Sequence, residues 1–483
     1  MKIFFSNISN GVKSSVVYTL SSLFSKGLAI ITMPIFTRIL STEDIGVVNL
    51  YTSWHAMISV VSTLSLTSGG FQLGLKEFKQ ERDQYVSSLL LLTSLPPIVL
   101  VLVYFVNRDF WNELTGLNTA LFCLMFVHLL LSPAFTFWFS RQRYEYKYVS
   151  AAIIGFSSAF LASLVAVLAV LFASQGNYGH LGEVRLFGNY SVFLIYALVI
   201  FASILYKGKT LFSSRYWKFS LSLSIPLIGN SLAVQILNVS DRTMIDQMVD
   251  KSSVGIYGTL YTVSSLSLIV WHAINASFVP FLFENLEKPE KKDDIRKISA
   301  ILLTAFSAFA FLITLFAPEI VRILATEEYY KAIYIMPPIA AGIYLTSLSN
   351  MYTNLLIYYK KTYLIMIASV VAAATNVILN YFGIRLFGYL AAAYTTLIAF
   401  VILTIIQWTF ANKTHSKATN SSSSVYYTKF TVLLSITTIL LCMSCLLLYQ
   451  TYLLRYLILA SFMLIAYLKR NIILNAIKHH SAL

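Results

Sequence analysis

Long apolar segments constrain the fold of this chain more than any other feature. Stretches of about 20 apolar residues recur along most of its 483 residues, and only short polar clusters separate them. A backbone inside a bilayer must satisfy its own hydrogen bonds, which a helix does within one segment. Charged residues make up only 11% of the chain and the mean hydropathy is +0.73. The sequence therefore predicts an all-α integral membrane protein.

The apolar pattern predicts about 14 transmembrane helices. We expect them at roughly 14–38, 45–68, 84–106, 117–139, 148–173, 186–206, 217–240, 252–279, 297–317, 331–358, 362–382, 386–410, 426–449 and 451–468. With these spans, 25 of the 35 basic residues lie on the side of the N-terminus and 9 on the other, and Lys26 lies within a span. Because Lys and Arg accumulate in cytoplasmic loops, we expect a multi-pass protein with both termini in the cytoplasm.

Short matches between the two halves of the chain indicate an internal repeat. The sequence "KGLA" at residues 26–29 aligns with "NSLA" at 230–233, and an arginine follows twelve residues after Lys26 and after Asn230. We therefore expect an N-lobe over 1–210 (spans 1–6), a C-lobe over 211–412 (spans 7–12), and a linker with spans 13–14 over 413–483. The polar segment "NKTHSKATNSSSS" in this linker is expected to be flexible.

Three motifs resemble those of one known family. These are "MPIFTRILSTEDIG" at 33–46, "SDRTMIDQMVDKSSVGIYG" at 240–258 and "NVILNYFGIRLFGYLAAAYTTLIAF" at 376–400. They resemble polysaccharide transporters, the O-antigen or capsule repeat-unit flippases of the multidrug/oligosaccharidyl-lipid/polysaccharide exporter superfamily. The resemblance implies two pseudo-symmetric six-helix lobes in a V, plus two C-terminal helices. It further implies a bacterial cytoplasmic (inner) membrane protein that moves undecaprenyl-pyrophosphate-linked oligosaccharide to the outer leaflet by alternating access.

A pyrophosphate headgroup would need a cation within the membrane, and Lys26 is the first candidate. It shares a helical face with Ser15, Thr19 and Ser22. A lysine against lipid at mid-span costs about 2.5–3.5 kcal/mol, so a hydrated cavity or a paired acid is the favourable environment. Two interpretations remain open, since Lys26 could line the cavity or extend its amine to the cytoplasmic headgroups.

The seventh span carries a second set of candidate substrate-binding residues. These are Asn230, Gln235, Asn238 and Arg242, and the repeat equivalent of Arg242 is Arg38 in the first span. Both arginines end a span, so each is either a helix C-terminal cation or a contact for pyrophosphate near the outer mouth. The amides either line the cavity or hydrogen-bond neighbouring helices, and helix packing is the favoured interpretation for Asn376 and Asn380.

Two histidines, His55 and His272, lie in spans two and eight and are candidates for proton coupling, because histidine titrates near neutral pH. A packing role is the alternative, since the sequence reveals no proton partner for either. The three cysteines lack the spacing of a disulfide framework or a metal site, and no phosphate-binding loop is present. We therefore expect no cofactor, no metal and no enzymatic activity.

Two other functions compete with the flippase interpretation. A cation-coupled multidrug exporter of the same superfamily would need buried acids where the first span has Lys26. A polytopic polysaccharide polymerase, an enzyme, is less favoured because no external loop is long enough to form a catalytic domain. The expected partners are the lipid-linked oligosaccharide, the lipid bilayer, and polymerase and chain-length proteins. Nucleic acid is not expected, since the basic residues are spread over many loops.

Overall fold

A computed structural model describes residues 10–468 except 69, 177 and 421–422; side chains of residues 10–20, 22–23, 25–26, 68, 226 and 462–468 lie outside this description. The regular elements within it are all helices. The first eight α-helices are α1 (Asn10–Ile39), α2 (Thr42–Ser62), α3 (Gly70–Glu77), α4 (Arg82–Val106), α5 (Arg108–Thr115), α6 (Thr119–Tyr144), α7 (Tyr148–Gln175) and α8 (Leu181–Gly208).

Eleven further α-helices follow. They are α9 (Ser214–Met248), α10 (Lys251–Ser265), α11 (Ser267–Asn285), α12 (Lys292–Leu315), α13 (Ala317–Leu324), α14 (Glu327–Tyr330), α15 (Met336–Tyr358), α16 (Thr362–Phe387), α17 (Ala391–Thr419), α18 (Thr428–Leu448) and α19 (Tyr452–Leu468). Three single-turn 3₁₀ helices lie between them.

Each predicted span overlaps one of these helices or a consecutive pair of them, and the predicted all-α membrane fold is confirmed. Within the described residues, nine helical segments are long and apolar enough to cross a membrane, or ten if the bent α9 counts as one span. The number fourteen stays a prediction. The eighth predicted span consists of α10 and α11, which meet at Leu266.

Proline and capping residues explain several helix boundaries. Ser41 caps α2: its hydroxyl accepts from the backbone N–H of Asp44, whose carboxylate accepts from the Ser41 backbone in return. Pro337 and Pro338 lie in the first turn of α15, where the missing N–H has no helical partner, so they begin a helix. α9 bends by 46° between Ser214–Ile225 and Leu227–Met248, at the position of Pro226.

Following the predicted division of the chain, we call α1–α8 the N-lobe and α9–α17 the C-lobe. α15 is buried along most of its length at the centre of the C-lobe, and α18 packs against α12 and α15. The first part of α9 contacts the N-lobe instead: the Tyr85 hydroxyl lies 2.9 Å from the Ser220 hydroxyl. The Trp217 indole N–H donates to the Ser88 carbonyl at 3.1 Å. α9 therefore contacts both lobes.

The prediction of a flexible linker after the twelfth span is partly wrong. α17 continues through this polar segment to Thr419, because the segment contains neither glycine nor proline up to that point. Beyond it, Ser424 donates to the Asn412 side-chain oxygen at 2.8 Å. The Arg296 guanidinium donates to the Ser424 carbonyl at 2.7 Å. The low-complexity composition therefore did not reveal a helical extension that is tied to α12.

The two lobes meet where α2 and α10 cross in direct backbone contact. A Cβ atom at Gly46 would lie 2.0 Å from the carbonyl oxygen of Lys251. Reciprocally, a Cβ atom at Gly255 would lie 2.0 Å from the carbonyl oxygen of Thr42. Only glycine fits these positions, which explains the glycine in two of the three sequence motifs. The hydroxyls of Thr42 and Ser252, 2.6 Å apart, lie beside this contact.

Candidate functional site

The end of α1 is fastened to the other lobe by two polar side chains. The Thr37 hydroxyl donates to the Leu324 carbonyl at 2.8 Å. The Arg38 guanidinium donates to the carbonyls of Pro34 at 2.9 Å and Ile323 at 3.2 Å. Residues 323 and 324 end α13, where carbonyl groups lack helical partners and attract cations. Arg38 therefore occupies the position of a helix C-terminal cation and joins the two lobes.

Arg242, the repeat equivalent of Arg38, has a different environment. Its side chain is buried, and its guanidinium lies 4.9 Å from the centre of the Tyr261 ring. One terminal nitrogen donates to the Asn238 carbonyl at 3.3 Å, while Nε is buried without a partner among the described residues. The neighbouring carboxylate of Asp241 accepts from the Tyr257 hydroxyl and the Arg242 backbone. The buried arginine thus keeps a donor that a bound anion could use.

The predicted amide stripe on α9 is partly buried, and one of its groups lacks a partner. The side-chain oxygen of Asn230 is buried without a hydrogen bond among the described residues. Gln235 and Asn238 are half-buried on the same part of α9. Asn376 instead accepts from Ser240 and donates to Thr396, at 3.4 and 3.1 Å. The predicted packing role of Asn376 therefore agrees with its contacts, which join α9, α16 and α17.

Lys26 lies near the middle of α1, and its side chain is outside the described residues. Its predicted role as a cavity cation therefore stays a prediction. The helix itself packs mainly against α7. Ser21, one and a half turns earlier on α1, lines a cavity of about 510 Å³ between α1, α6, α7 and α8. The segment that carries Lys26 thus borders an open volume inside the N-lobe.

The same cavity reaches a pair of histidines that the sequence analysis found only in part. Nε2 of His55 on α2 lies 2.6 Å from Nδ1 of His128 on α6. His128 is 7% exposed and lines the cavity together with Asn189, Tyr190 and Arg143. One imidazole donates its N–H to the lone pair of the other, so the pair can hold an added proton on one ring while the other accepts.

Aromatic side chains surround this histidine pair. The Tyr190 ring centre lies 4.7 Å from that of His128 and 5.2 Å from that of Tyr51. The Phe193 ring lies tilted against that of His128, with 4.6 Å between the ring centres. Within the described residues, no carboxylate hydrogen-bonds to either histidine. His272, the second histidine candidate, lies on α11 of the other lobe with an exposed side chain.

The structure thus brings together some candidates and separates others. Arg242 and Asn238 are in contact on α9, whereas Arg38 contacts α13 and His55 lies within the N-lobe. Sequence reasoning missed His128 and the buried Asp241 as site residues. Both are ionisable groups inside apolar spans, which are functional candidates by default, and that signal was available in the sequence.

Comparison with known proteins identifies a family and a relative that match most of the chain. Residues 12–286, more than half of the sequence, match the family described as polysaccharide biosynthesis protein. A curated relative is the probable low-salt glycan biosynthesis flippase Agl15 of Haloferax volcanii. It is 22% identical over 404 residues, which are 82% of this chain and 82% of the relative.

Solved structures share the fold at low sequence identity. One is the lipid II flippase MurJ in an inward closed conformation, with a TM-score of 0.63, 16% identity, and coverage of 96% of this chain and 100% of that one. Another is an inward-facing multidrug resistance MATE family transporter of the MOP superfamily. Its TM-score is 0.64 at 13% identity, and the match covers 84% of this chain and 96% of the transporter.

Proposed function

The chain belongs to the polysaccharide biosynthesis protein family, and on that premise we propose that it is a flippase for a lipid-linked oligosaccharide. The proposed substrate is an undecaprenyl-pyrophosphate-linked repeat unit of a surface polysaccharide, an O-antigen of lipopolysaccharide or a capsule. It moves from the cytoplasmic to the outer leaflet of a bacterial inner membrane. The family match over residues 12–286 carries this proposal, and the relative named as a glycan biosynthesis flippase supports it.

Alternating access would follow from the way the lobes contact each other. With both termini in the cytoplasm, as the charge distribution predicts, the α2–α10 crossing and the Arg38–Ile323 hydrogen bond lie at the outer end. Besides the apolar packing of α2 on α10, these contacts comprise a backbone fit and a few hydrogen bonds, each bond worth about 0.5–1.5 kcal/mol net. Such contacts can break and re-form during transport, so the outer end can open while the first part of α9 stays on the N-lobe.

Cations of both lobes would receive the pyrophosphate in turn. Lys26 would hold it at mid-depth in the N-lobe, and Arg242 would offer from the C-lobe its Nε, which has no partner among the described residues. Separation of α1 from α13 would release the Arg38 guanidinium from the Ile323 carbonyl, which frees a third cation at the outer mouth. Asn230, Gln235 and Asn238 would contribute amides to the polar path on α9.

Proton coupling would reside in the His55–His128 pair rather than at His272. The pair is screened from bulk water and borders the N-lobe cavity, so its protonation can respond to access from one side. Tyr51 and Tyr190 are its titratable neighbours within the described residues, and Arg143 lies on the cavity wall. A charged pair without an acid partner favours a hydrated cavity, and a neutral pair favours a closed one.

Deletion of the chain from its host tests the proposed function. We expect short lipid-linked oligosaccharides to accumulate on the cytoplasmic side while the surface polysaccharide is lost, and a plasmid copy to restore export. Normal surface polysaccharide in the deletion strain would refute the proposal. Cross-linking in the same host tests whether polymerase and chain-length proteins are partners.

A cation-coupled multidrug exporter is the second candidate, and one observation favours it. Asp241 is a buried carboxylate within α9, 1% exposed, the kind of group that exchanges cations with a substrate. Its bonds to Tyr257 and the Arg242 backbone favour a structural role instead. If the exporter function is correct, deletion should raise sensitivity to cationic drugs and leave lipid-linked oligosaccharides unchanged.

A further inference from the structure

A basic pocket lies at one end of the C-lobe, away from the proposed transport path. It has a volume of about 550 Å³ between the α15–α16 turn and the last turns of α17. Three lysines, Lys361, Lys413 and Lys417, line it together with Tyr359 and Tyr363. We propose that this pocket binds the phosphate headgroup of an anionic phospholipid from the cytoplasmic leaflet.

The lysines of this pocket make it positively charged. All three lysine side chains are exposed, and within the described residues none of them forms an ion pair with a carboxylate. Glu287, on a neighbouring turn, accepts a hydrogen bond from Tyr358 at 2.7 Å. Lys413 and Lys417 are four residues apart on α17 and therefore lie on one face, about 6 Å apart along the helix axis. The pocket thus presents three positive charges to an external anion.

The pocket lies at the level of a membrane surface. Lys361 immediately precedes α16, a helix that is long and apolar enough to span a bilayer, so its amine is expected among the lipid headgroups. The predicted topology puts this end in the cytoplasm, where the leaflet is rich in anionic lipids. Basic pockets between transmembrane helices on that side are known to select anionic headgroups.

The helix surface below the pocket fits the acyl chains of the same lipid. Tyr363, Ile367, Val370 and Val371 are 54%, 41%, 48% and 41% exposed. Their spacing of four, three and one residues puts them on one face of α16. This exposed apolar face begins at the pocket wall and continues into the span. A charged pocket next to an apolar helix face matches the charged headgroup and the apolar chains of a phospholipid. A soluble phosphate compound would make no use of the apolar face.

A hydrogen bond between Tyr359 and His415 helps to hold the shape of the pocket. The Tyr359 hydroxyl lies 2.7 Å from Nδ1 of His415, a buried residue on α17. This bond joins the turn after α15 to the helix that carries Lys413 and Lys417. The wall is therefore fixed before any ligand arrives, so less conformational entropy is lost on binding.

The test measures binding of short-chain phosphatidylglycerol to the purified full-length protein by native mass spectrometry. We expect the variant K361Q/K413Q/K417Q to bind about a hundredfold more weakly, since each lysine near an anionic headgroup contributes about one kcal/mol and 1.4 kcal/mol corresponds to tenfold. The matched control K76Q/K79Q/K209Q removes three exposed lysines from the same predicted side and should leave binding unchanged. Replacement of the pocket lysines by arginine should retain it.

Several outcomes would overturn the proposal. They are an equal loss in the control variant, equal binding of zwitterionic phosphatidylcholine, or no binding of phosphatidylglycerol to the unmodified protein. Displacement of the lipid by inorganic phosphate at a similar concentration would instead identify a site for a soluble phosphate compound. Size-exclusion profiles and the arginine variant distinguish loss of the site from misfolding.

Discussion

Replacement of Gly46 by alanine tests the proposed role of the α2–α10 crossing. The new Cβ atom would lie 2.0 Å from the Lys251 carbonyl oxygen and 2.8 Å from its carbonyl carbon. Both partners are backbone atoms of a helix, so the two helices must separate by about 1 Å to restore ordinary contact. Overpacking of this kind costs about 1–3 kcal/mol. The closed arrangement of this end should therefore lose about 5- to 150-fold in population relative to open arrangements.

Disulfide formation across the crossing measures this shift. Thr42 and Ser252 have hydroxyls 2.6 Å apart, so cysteines at both positions should cross-link rapidly in the parent protein. We expect Gly46→Ala or Gly255→Ala to slow cross-linking by a factor in the range above. The control is Gly27→Ala, a helical glycine whose added Cβ would meet no atom of the described residues within 4 Å. Unchanged cross-linking in Gly46→Ala would refute the argument that only glycine permits closure.

Three further predictions follow from individual side chains. Lys26→Ala should abolish export of lipid-linked oligosaccharide while Lys26→Arg restores part of it; full activity of the alanine variant at equal expression would favour snorkelling to the headgroups. His55→Gln and His128→Gln should each remove the dependence of transport on a proton gradient, and the double variant should add nothing, because the pair acts as one unit; a proton response retained in the double variant would contradict this. Burial raises the pKa of Glu145, but hydrogen bonds from Lys147 and Arg141 lower it by more, so the net shift of the pKa is downward. The stabilisation that results is present above the ordinary pKa of a glutamate and is lost as pH falls through the lowered pKa. Glu145→Gln should therefore lower the melting temperature of the solubilised protein near pH 7 and not near pH 3, and an equal loss at both would contradict the assignment.

Helix positions could be predicted from the sequence because a backbone inside a bilayer must satisfy its own hydrogen bonds, so a long apolar segment forms a helix. Apolar length alone therefore placed the predicted spans 84–106 and 148–173 within a few residues of α4 and α7. The polar extension of α17 was missed because the helices were predicted from apolar length alone. Its stability depends on contacts with Arg296 and Ser424, which hydropathy does not record.

The contacts between helices could not be predicted in the same way. His55 and His128 are 73 residues apart, and no local pattern indicates that α2 and α6 bring their rings together. Gly46 ends one of the sequence motifs, but nothing in the motif indicates that this glycine faces Lys251. Arg38 and Arg242 occupy equivalent repeat positions, yet Arg38 is exposed at the end of α1, where it donates to the end of α13, and Arg242 is buried against Tyr261. Equivalent positions in the repeat therefore did not give the two arginines the same environment.

Reconstitution of the purified protein tests the central claim most directly. Proteoliposomes would contain an undecaprenyl-pyrophosphate-linked oligosaccharide, and a membrane-impermeant sugar-modifying reagent would report the fraction exposed on the outside. The account predicts that the chain speeds the transfer of this lipid between leaflets, and that Gly46→Ala and Lys26→Ala each slow it. Transfer no faster than in protein-free vesicles, from an active and monodisperse preparation, would contradict the account.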